Sequence, residues 1–390
     1  MSATVRVSVP ASIWNWITEI GFMQELTADD HLKIEHWRTG KSEPTINQLS
    51  KFSKKLRVPF GYFFLEKPIN DIPSVFAHRT ISNTSIPEPS RELIDTVTDM
   101  QAVQEWMRQD ILESSGGKLS FVSSYYAGDA DVKSLTNAIR GTFKLPMDWY
   151  SQKDRSIPVD EAFALLRECC ESAGIVVMLN GVARDNTHRP LNVDEFRAFA
   201  LIDEYAPLIF INRADSRHGQ IFSLAHEISH IWLGTSEIYN DTYQYESNTL
   251  IEVLCNAVAA ELLVPKTMFT RHWRHMAEHD TSVDDIIEEI AKIFPVSQVV
   301  IARRALDEHF ISLAKYHDIA AECRRQWEEH SSSSASGGDY YRTKRSRLDR
   351  HFVERLAASV SEGRTSYLDA YRLTGTNRKT FPKMLSVMGV

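Results

Sequence analysis

The chain has 390 residues, 43% of them hydrophobic and 25% charged, with a formal net charge of −8. That length suffices for two or three domains, each burying its own core, and the composition is ordinary for a globular protein. The absence of any run of about 18 apolar residues excludes a membrane-spanning helix, and the N-terminus shows no secretory signal. The four cysteines, Cys169, Cys170, Cys255 and Cys323, lack C-x-x-C spacing. They exclude a disulfide framework and a Cys-type zinc site, so a cytoplasmic, reducing location is expected.

Charge is uneven. Residues 1–68 carry 9 basic and 7 acidic side chains and residues 331–390 carry 11 and 5, which leaves a net −16 between them. Solvated helical faces explain most such patterns; the basic tail also suits an acidic partner or nucleic acid.

Along the chain, Ile13, Trp14, Ile17 and Ile20 follow a helical period that Gly21 breaks. A second helix is expected from about Asp30 to Trp37, capped by Thr27 or Asp29 and stopped by Gly40. Thr45 opens a third, with Ile46, Leu49, Phe52 and Leu56 on one face. An apolar aromatic run from Val58 to Leu65 follows, and Pro68 closes the unit. Residues 70–89 have linker composition. Long helices are expected over 90–114 and 132–142, and an amphipathic one over 159–173 between Pro158 and Gly174. Three strand-like runs follow at 175–179, 196–202 and 208–211. Beyond Pro265 the chain reads as helical, interrupted by a low-complexity flexible loop at 331–338.

The chemistry concentrates in residues 220–234. Ile221, Leu224, Ala225, Ile228, Ile231 and Trp232 recur at three- and four-residue intervals, the mark of a buried helix ended by Gly234. His226 and His230 lie four apart on one face, so both imidazoles can reach one cation. Glu227, displaced by about 100°, can serve a metal-held water as base without being a ligand. The next apolar stretch, 249–265, contains Glu252 and Glu261, and acids there are uncommon unless paired or metal-bound. Glu252 shares a face with Asn256, while Glu261 points about 180° away. Glu252 is therefore the expected third ligand and Asn256 the partner of a histidine N–H. Glu261 is the alternative ligand, and Cys255 is read as core packing.

At these residues the chain resembles the ImmA/IrrE family of zinc metallo-endopeptidases, which carry H-E-x-x-H followed by E-x-x-A-N-x-F-A-A-x-L-L-M-P. Here Cys255, Val258 and Val264 replace the usual Ala, Phe and Met. Residues 203–212 are similar to the family strand leading into the cleft. Trp37 to Leu65 resembles the Xre-type helix-turn-helix module ahead of the peptidase in long members, and residues 337–341 and the helices after them resemble their C-terminal extension. The interval from Gly21 to Trp37 has space for only one short helix, and holds Glu25, Asp29, Asp30 and Glu35 against Lys33, so the module is read as degenerate.

The resemblance implies an α+β, mostly α fold: a gluzincin-like core with a small mixed or antiparallel sheet, flanked by helical N- and C-terminal domains. The expected division is a helix-turn-helix-like module at 1–69, linker and helix at 70–120, the peptidase domain at 121–270 and a helical domain at 271–390. The implied activity is zinc-dependent hydrolysis of a repressor or antitoxin-type protein, with zinc on His226, His230 and Glu252, and Glu227 catalytic. Strand 206–211 is expected at a sheet edge that can bind substrate as an added strand. Tyr239, Tyr243, Tyr245 and His218 are the candidate oxyanion donors. DNA is a second candidate partner; two later stretches, 290–304 and 364–384, also have helix-turn-helix-like patterning. The alternative reading is a transcriptional regulator or antitoxin-like binding protein whose zinc site is structural or inactive.

Overall fold

The computed structural model describes residues 5–73, 89–152, 155–235, 238–239, 250–279, 281–331 and 340–390. Most of the linker at 70–89 and all but the first residue of the 331–338 loop therefore lie outside the described residues. The chain divides into two compact units, residues 1–73 with 88–94, and residues 74–87 with 95–390.

In the first unit, helices α1 (Ala11–Ile20), α2 (Ala28–Arg38) and α3 (Ile46–Lys55) enclose one aromatic core. Trp14 is fully buried and stacks on Trp37 with ring centroids 5.5 Å apart. Of the two cap candidates, Thr27 is the one used: it accepts from Asp30 N while the Asp30 carboxylate accepts from Thr27 N. Lys55, bonded to the same carboxylate, holds Asp30 below the usual carboxylate range. Between α1 and α2 the chain makes only a three-residue 3-10 turn, Met23–Glu25.

The second unit is mostly helical, with α4 (Arg91–Glu113, its residues to Ile94 falling in the first unit), α5 (Val132–Phe143), a minimal hairpin of β1 (Ser151–Gln152) and β2 (Arg155–Ser156), and α6 (Val159–Ala173). A mixed sheet follows from β3 (Val176–Asn180), β4 (Ala198–Leu201), β5 (Leu208–Asn212) and, after α7 (Arg217–Leu233), β6 (Ile238–Tyr239), in the order β3-β5-β4-β6. β5 runs parallel to β3, with Val176 opposite Leu208, and antiparallel to β4.

The sheet order corrects one expectation. Residues 208–212 form an inner strand, paired on both sides and buried throughout, so no substrate strand can add to them. Their unbroken apolar run is the signature of a strand covered on both faces, whereas an edge strand with a wet face alternates. The outer edge of β3 is closed as well: Val177 N donates to Asp349 at 2.9 Å and Val177 O accepts from Arg167 at 2.9 Å.

The helices completing the unit are α8 (Leu250–Leu263), α9 (Lys266–Ala277), α10 (Val283–Ala291), α11 (Gln298–Asp307), α12 (Leu313–Ser331), α13 (Tyr340–Arg347), α14 (Arg350–Ser361), α15 (Tyr367–Thr374) and α16 (Phe381–Met388). No helix among the described residues is long and apolar enough to cross a membrane.

Helix α7 sits at the centre, packed on β4, β5, α6 and α8. Ile221, Leu224, Ala225, Ile228 and Ile231 are fully buried. Trp232 stacks on Phe121 at 4.5 Å and meets Phe143 edge-on at 5.6 Å. Trp232→Ala is expected to cost about 3–5 kcal/mol of stability, the range for emptying a buried aromatic site, measurable as a lower midpoint in urea unfolding.

Candidate metal centre

Both ends of α7 are fixed, which sets the azimuth of its polar residues. At the start, Ser216 caps the helix by accepting from Gly219 N at 3.0 Å, and the Gln220 amide donates to Asp215 O at 2.7 Å. At the end, Ser123 N donates to Ile231 O and Tyr125 N to Trp232 O. Gly234 closes the helix at φ +70, where a Cβ would meet Ser123 Oγ at 2.4 Å, so glycine is required twice over. The chain then turns so that Thr235 faces back toward His230.

His226 and His230 are buried and their Nε2 atoms lie 3.1 Å apart. From α8, Glu252 places one carboxylate oxygen 3.2 Å from His226 Nε2 and the other 3.3 Å from His230 Nε2. On the far side of each ring the other nitrogen is engaged. His226 Nδ1 lies 2.9 Å from Asn256 Oδ1, and His230 Nδ1 2.8 Å from Thr235 Oγ1. A carbonyl oxygen accepts from N–H, so the His226 proton sits on Nδ1 and the Nε2 lone pair points inward. Cys255 is also brought in: its sulfur and ligand atoms of the two histidines all lie within 4.8 Å of one another.

These distances fit a cation. Bonds of about 2.0–2.1 Å at tetrahedral angles put ligand atoms roughly 3.3 Å apart, close to the separations between the two Nε2 atoms and from each to its nearer Glu252 oxygen. The electrostatics agree. Burial pushes His226 toward its neutral form, against the pull of Glu252. Burial would also favour a protonated Glu252, yet the two imidazoles beside it outweigh burial and hold the carboxyl well below its usual range. Burial disfavours charge on His230 too, but Cys255 and Glu252 outweigh it and lift this imidazole well above its ordinary value. The carboxylate of Glu252 thus favours positive charge beside the two imidazoles, which is what a bound cation needs.

Glu227 is fully buried one position along α7 and close enough to raise the His230 titration. Glu261 is not brought to the cluster. It pairs with Arg304 and accepts from Lys266 N at 3.2 Å, on the opposite side of α8 as its spacing predicts. His218 lies two turns before His226, about 12 Å along the helix axis, which is too far to stabilise an oxyanion at the metal. Tyr243 and Tyr245 lie outside the described residues, and Tyr239 is described only as backbone in β6.

Two participants escape sequence reasoning. Thr235 lies beyond the helix stop, and only the geometry of the Gly234 turn aims it back at His230. Cys255 is three residues after Glu252 and one before Asn256, a spacing that already placed it on the same face; its apolar surroundings argued for simple packing. A cavity of about 740 Å³ adjoins the cluster, sharing Asn256 as wall, with Ser223, His218, Arg140, Arg303 and Tyr316 among its other lining residues.

Residues 170–306, roughly a third of the chain, match the family model Peptidase_M78, described as the IrrE N-terminal-like domain. Residues 348–386 match a second model, described as Domain of unknown function (DUF8813). Neither curated proteins nor solved structures gave a match.

Proposed function

We propose that the chain is a zinc metallo-endopeptidase in which His226, His230 and Glu252 hold the metal and Glu227 is the general base. The observation carrying this reading is the cluster in which two imidazole nitrogens 3.1 Å apart each lie 3.2–3.3 Å from a different oxygen of the Glu252 carboxylate, their opposite ring nitrogens being already engaged. The peptidase-family match over residues 170–306 supports the same class of chemistry. When bound, zinc supplies Lewis acidity, which makes water acidic enough to ionise near neutral pH.

The chain's own residues supply the remainder. Glu227, held dry in the α7 interior, takes a proton on its carboxylate and returns it to the leaving amine. Asn256 and Thr235 hold the imidazoles in orientation, as outer partners of metal-bound histidines do. A helix-turn-helix repressor or antitoxin-type regulator is the proposed substrate, in the cytoplasm, with residues 1–69 as a reduced Xre-like module. The test is incubation with the regulator encoded beside this chain's gene. Specific cleavage by wild type but not by Glu227→Gln supports the reading; equal cleavage by both, or by neither, removes it.

Cys255 favours a second reading. Were its sulfur a fourth ligand, the site would be closed and structural, and the protein would act as a binding regulator. Under the peptidase reading, Cys255→Ala retains one metal ion per chain, with affinity within about 10-fold of wild type. Loss of the metal in that variant, read by elemental analysis, favours the structural reading.

A further inference from the structure

The strongest unassigned feature lies far along the chain from the metal ligands, in α15, α16 and the turn between them. Thr374 ends α15 and Gly375 adopts φ +59, the left-handed value that a tight exit from a helix needs. Asn377 N donates to Thr380 Oγ1 at 3.0 Å, and the Asn377 side chain accepts from Lys379 N and Thr380 N. Phe381 N donates to Asn377 O at 2.9 Å, so this closed turn runs straight into α16. Two short helices joined through a glycine-containing turn are the helix-turn-helix arrangement, in which the first residues of the second helix approach base edges.

The packing makes α15–α16 a rigid unit. Phe381, Met384 and Met388 are buried on one side of α16, and Phe381 meets the ring of Tyr371 in α15 at 5.6 Å. Lys344, buried from α13, donates to Thr374 O at 2.7 Å and pairs with Asp185. A Cβ on Gly375 would strike that Asp185 carboxylate at 2.2 Å. The turn is thereby pinned to the body of the second unit.

Charge decides the partner. Residues 348–386 contain seven basic and four acidic side chains, and each acid is engaged within its own surroundings. Asp349 is buried and accepts from Val177 N and Phe352 N; Glu354 pairs with Arg350 and Glu362 with Arg364. Asp369 caps the start of α15 with Ser366 and lies 3.7 Å from Arg372. Arg378, Lys379 and Lys383 are exposed, and none of the ion pairs among the described residues involves them; Lys383 lies over the Tyr341 ring, its Nζ 4.4 Å from the centroid, a contact that leaves its charge unneutralised. Arg378 and Lys379 stand in the turn that enters α16, and within α16 Lys383 and Ser386 are exposed on the side away from the buried Phe381, Met384 and Met388. By contrast, the cations of α2 are taken: Lys33 pairs with Asp29 and Arg38 with Glu35.

We propose that α15 and α16 form a helix-turn-helix that binds double-stranded DNA, with Arg378 and Lys379 of the turn and Lys383 of α16 toward the duplex. Exposed cations beside a helix-turn-helix suit duplex phosphates, which attract them and release condensed counterions on contact. The proposal does not depend on peptidase activity.

The test uses the full chain and a fluorescein-labelled mixed-sequence duplex of about 24 base pairs, titrated by anisotropy at several salt concentrations. Wild type binds in the micromolar range near 0.1 M salt. The triple reversal Arg378→Glu, Lys379→Glu, Lys383→Glu weakens binding roughly 100-fold and lowers the salt slope by about 3. The milder Arg378→Gln, Lys379→Gln pair lowers the slope by about 2, and reversal of the exposed Lys51 and Lys54 changes nothing. Absence of wild-type binding at 50 mM salt overturns the proposal. So does an unaffected triple variant with unchanged circular dichroism, or tighter binding to the single strand than to the duplex.

Discussion

Glu227→Gln is expected to reduce peptide hydrolysis by roughly 10²–10⁴-fold while leaving metal content at one ion per chain. The amide has nearly the same shape as the carboxylate, and Glu227 is fully buried, so the packing of α7 against the sheet is preserved. The donor atoms come from three other side chains, His226, His230 and Glu252. What disappears is the capacity to accept a proton and return it. Removing a buried charge without removing its volume should leave unfolding temperature unchanged or slightly raised. The expected pattern is a barrier higher by about 3–5 kcal/mol with metal stoichiometry and fold intact. A variant that kept more than a tenth of wild-type turnover would show that Glu227 is not the base.

The site was legible in sequence to the extent that helix geometry determines it. His226 and His230 at a four-residue interval, and Glu252 and Asn256 at another, needed only the 3.6-residue period to be placed on facing surfaces. The contacts at 3.2, 3.3 and 2.9 Å follow from two packed helices. The same period sends Glu261 the other way, to Arg304. What helix geometry does not carry is tertiary. Thr235 reaches His230 only because Gly234 turns the chain back, and Ser123 leaves no room for any other residue there. The position of β5 depends on strand order, which a run of apolar residues cannot reveal: the stretch that read as an edge became the centre once β3 joined it in parallel. In the first unit the reverse holds. The shortness of the Gly21–Trp37 interval was enough to predict that no second full helix fits before α2, and a 3-10 turn occupies the space.

Metal affinity should fall in a graded order: His230→Ala first, Thr235→Val second, and Cys255→Ala least. Removing the His230 imidazole takes away one of the three proposed donors, so binding at micromolar zinc should vanish. Thr235→Val keeps the donor and the volume but removes the oxygen 2.8 Å from His230 Nδ1. The ring then loses both its orienting contact and its preference for an inward lone pair on Nε2. Loss of such an outer partner costs about 10–100-fold in affinity. Because the metal binds the folded cluster and not the separated ligands, these losses appear as stability. At zinc held 100-fold above the wild-type dissociation constant, wild type gains about 2.7 kcal/mol. A 100-fold weaker Thr235→Val gains only a few tenths, and His230→Ala gains nothing. Thermal unfolding with and without zinc measures all three on one scale. If Thr235→Val were stabilised by zinc as strongly as wild type, the Thr235–His230 contact would be a consequence of the turn at Gly234 and not a determinant of the metal centre.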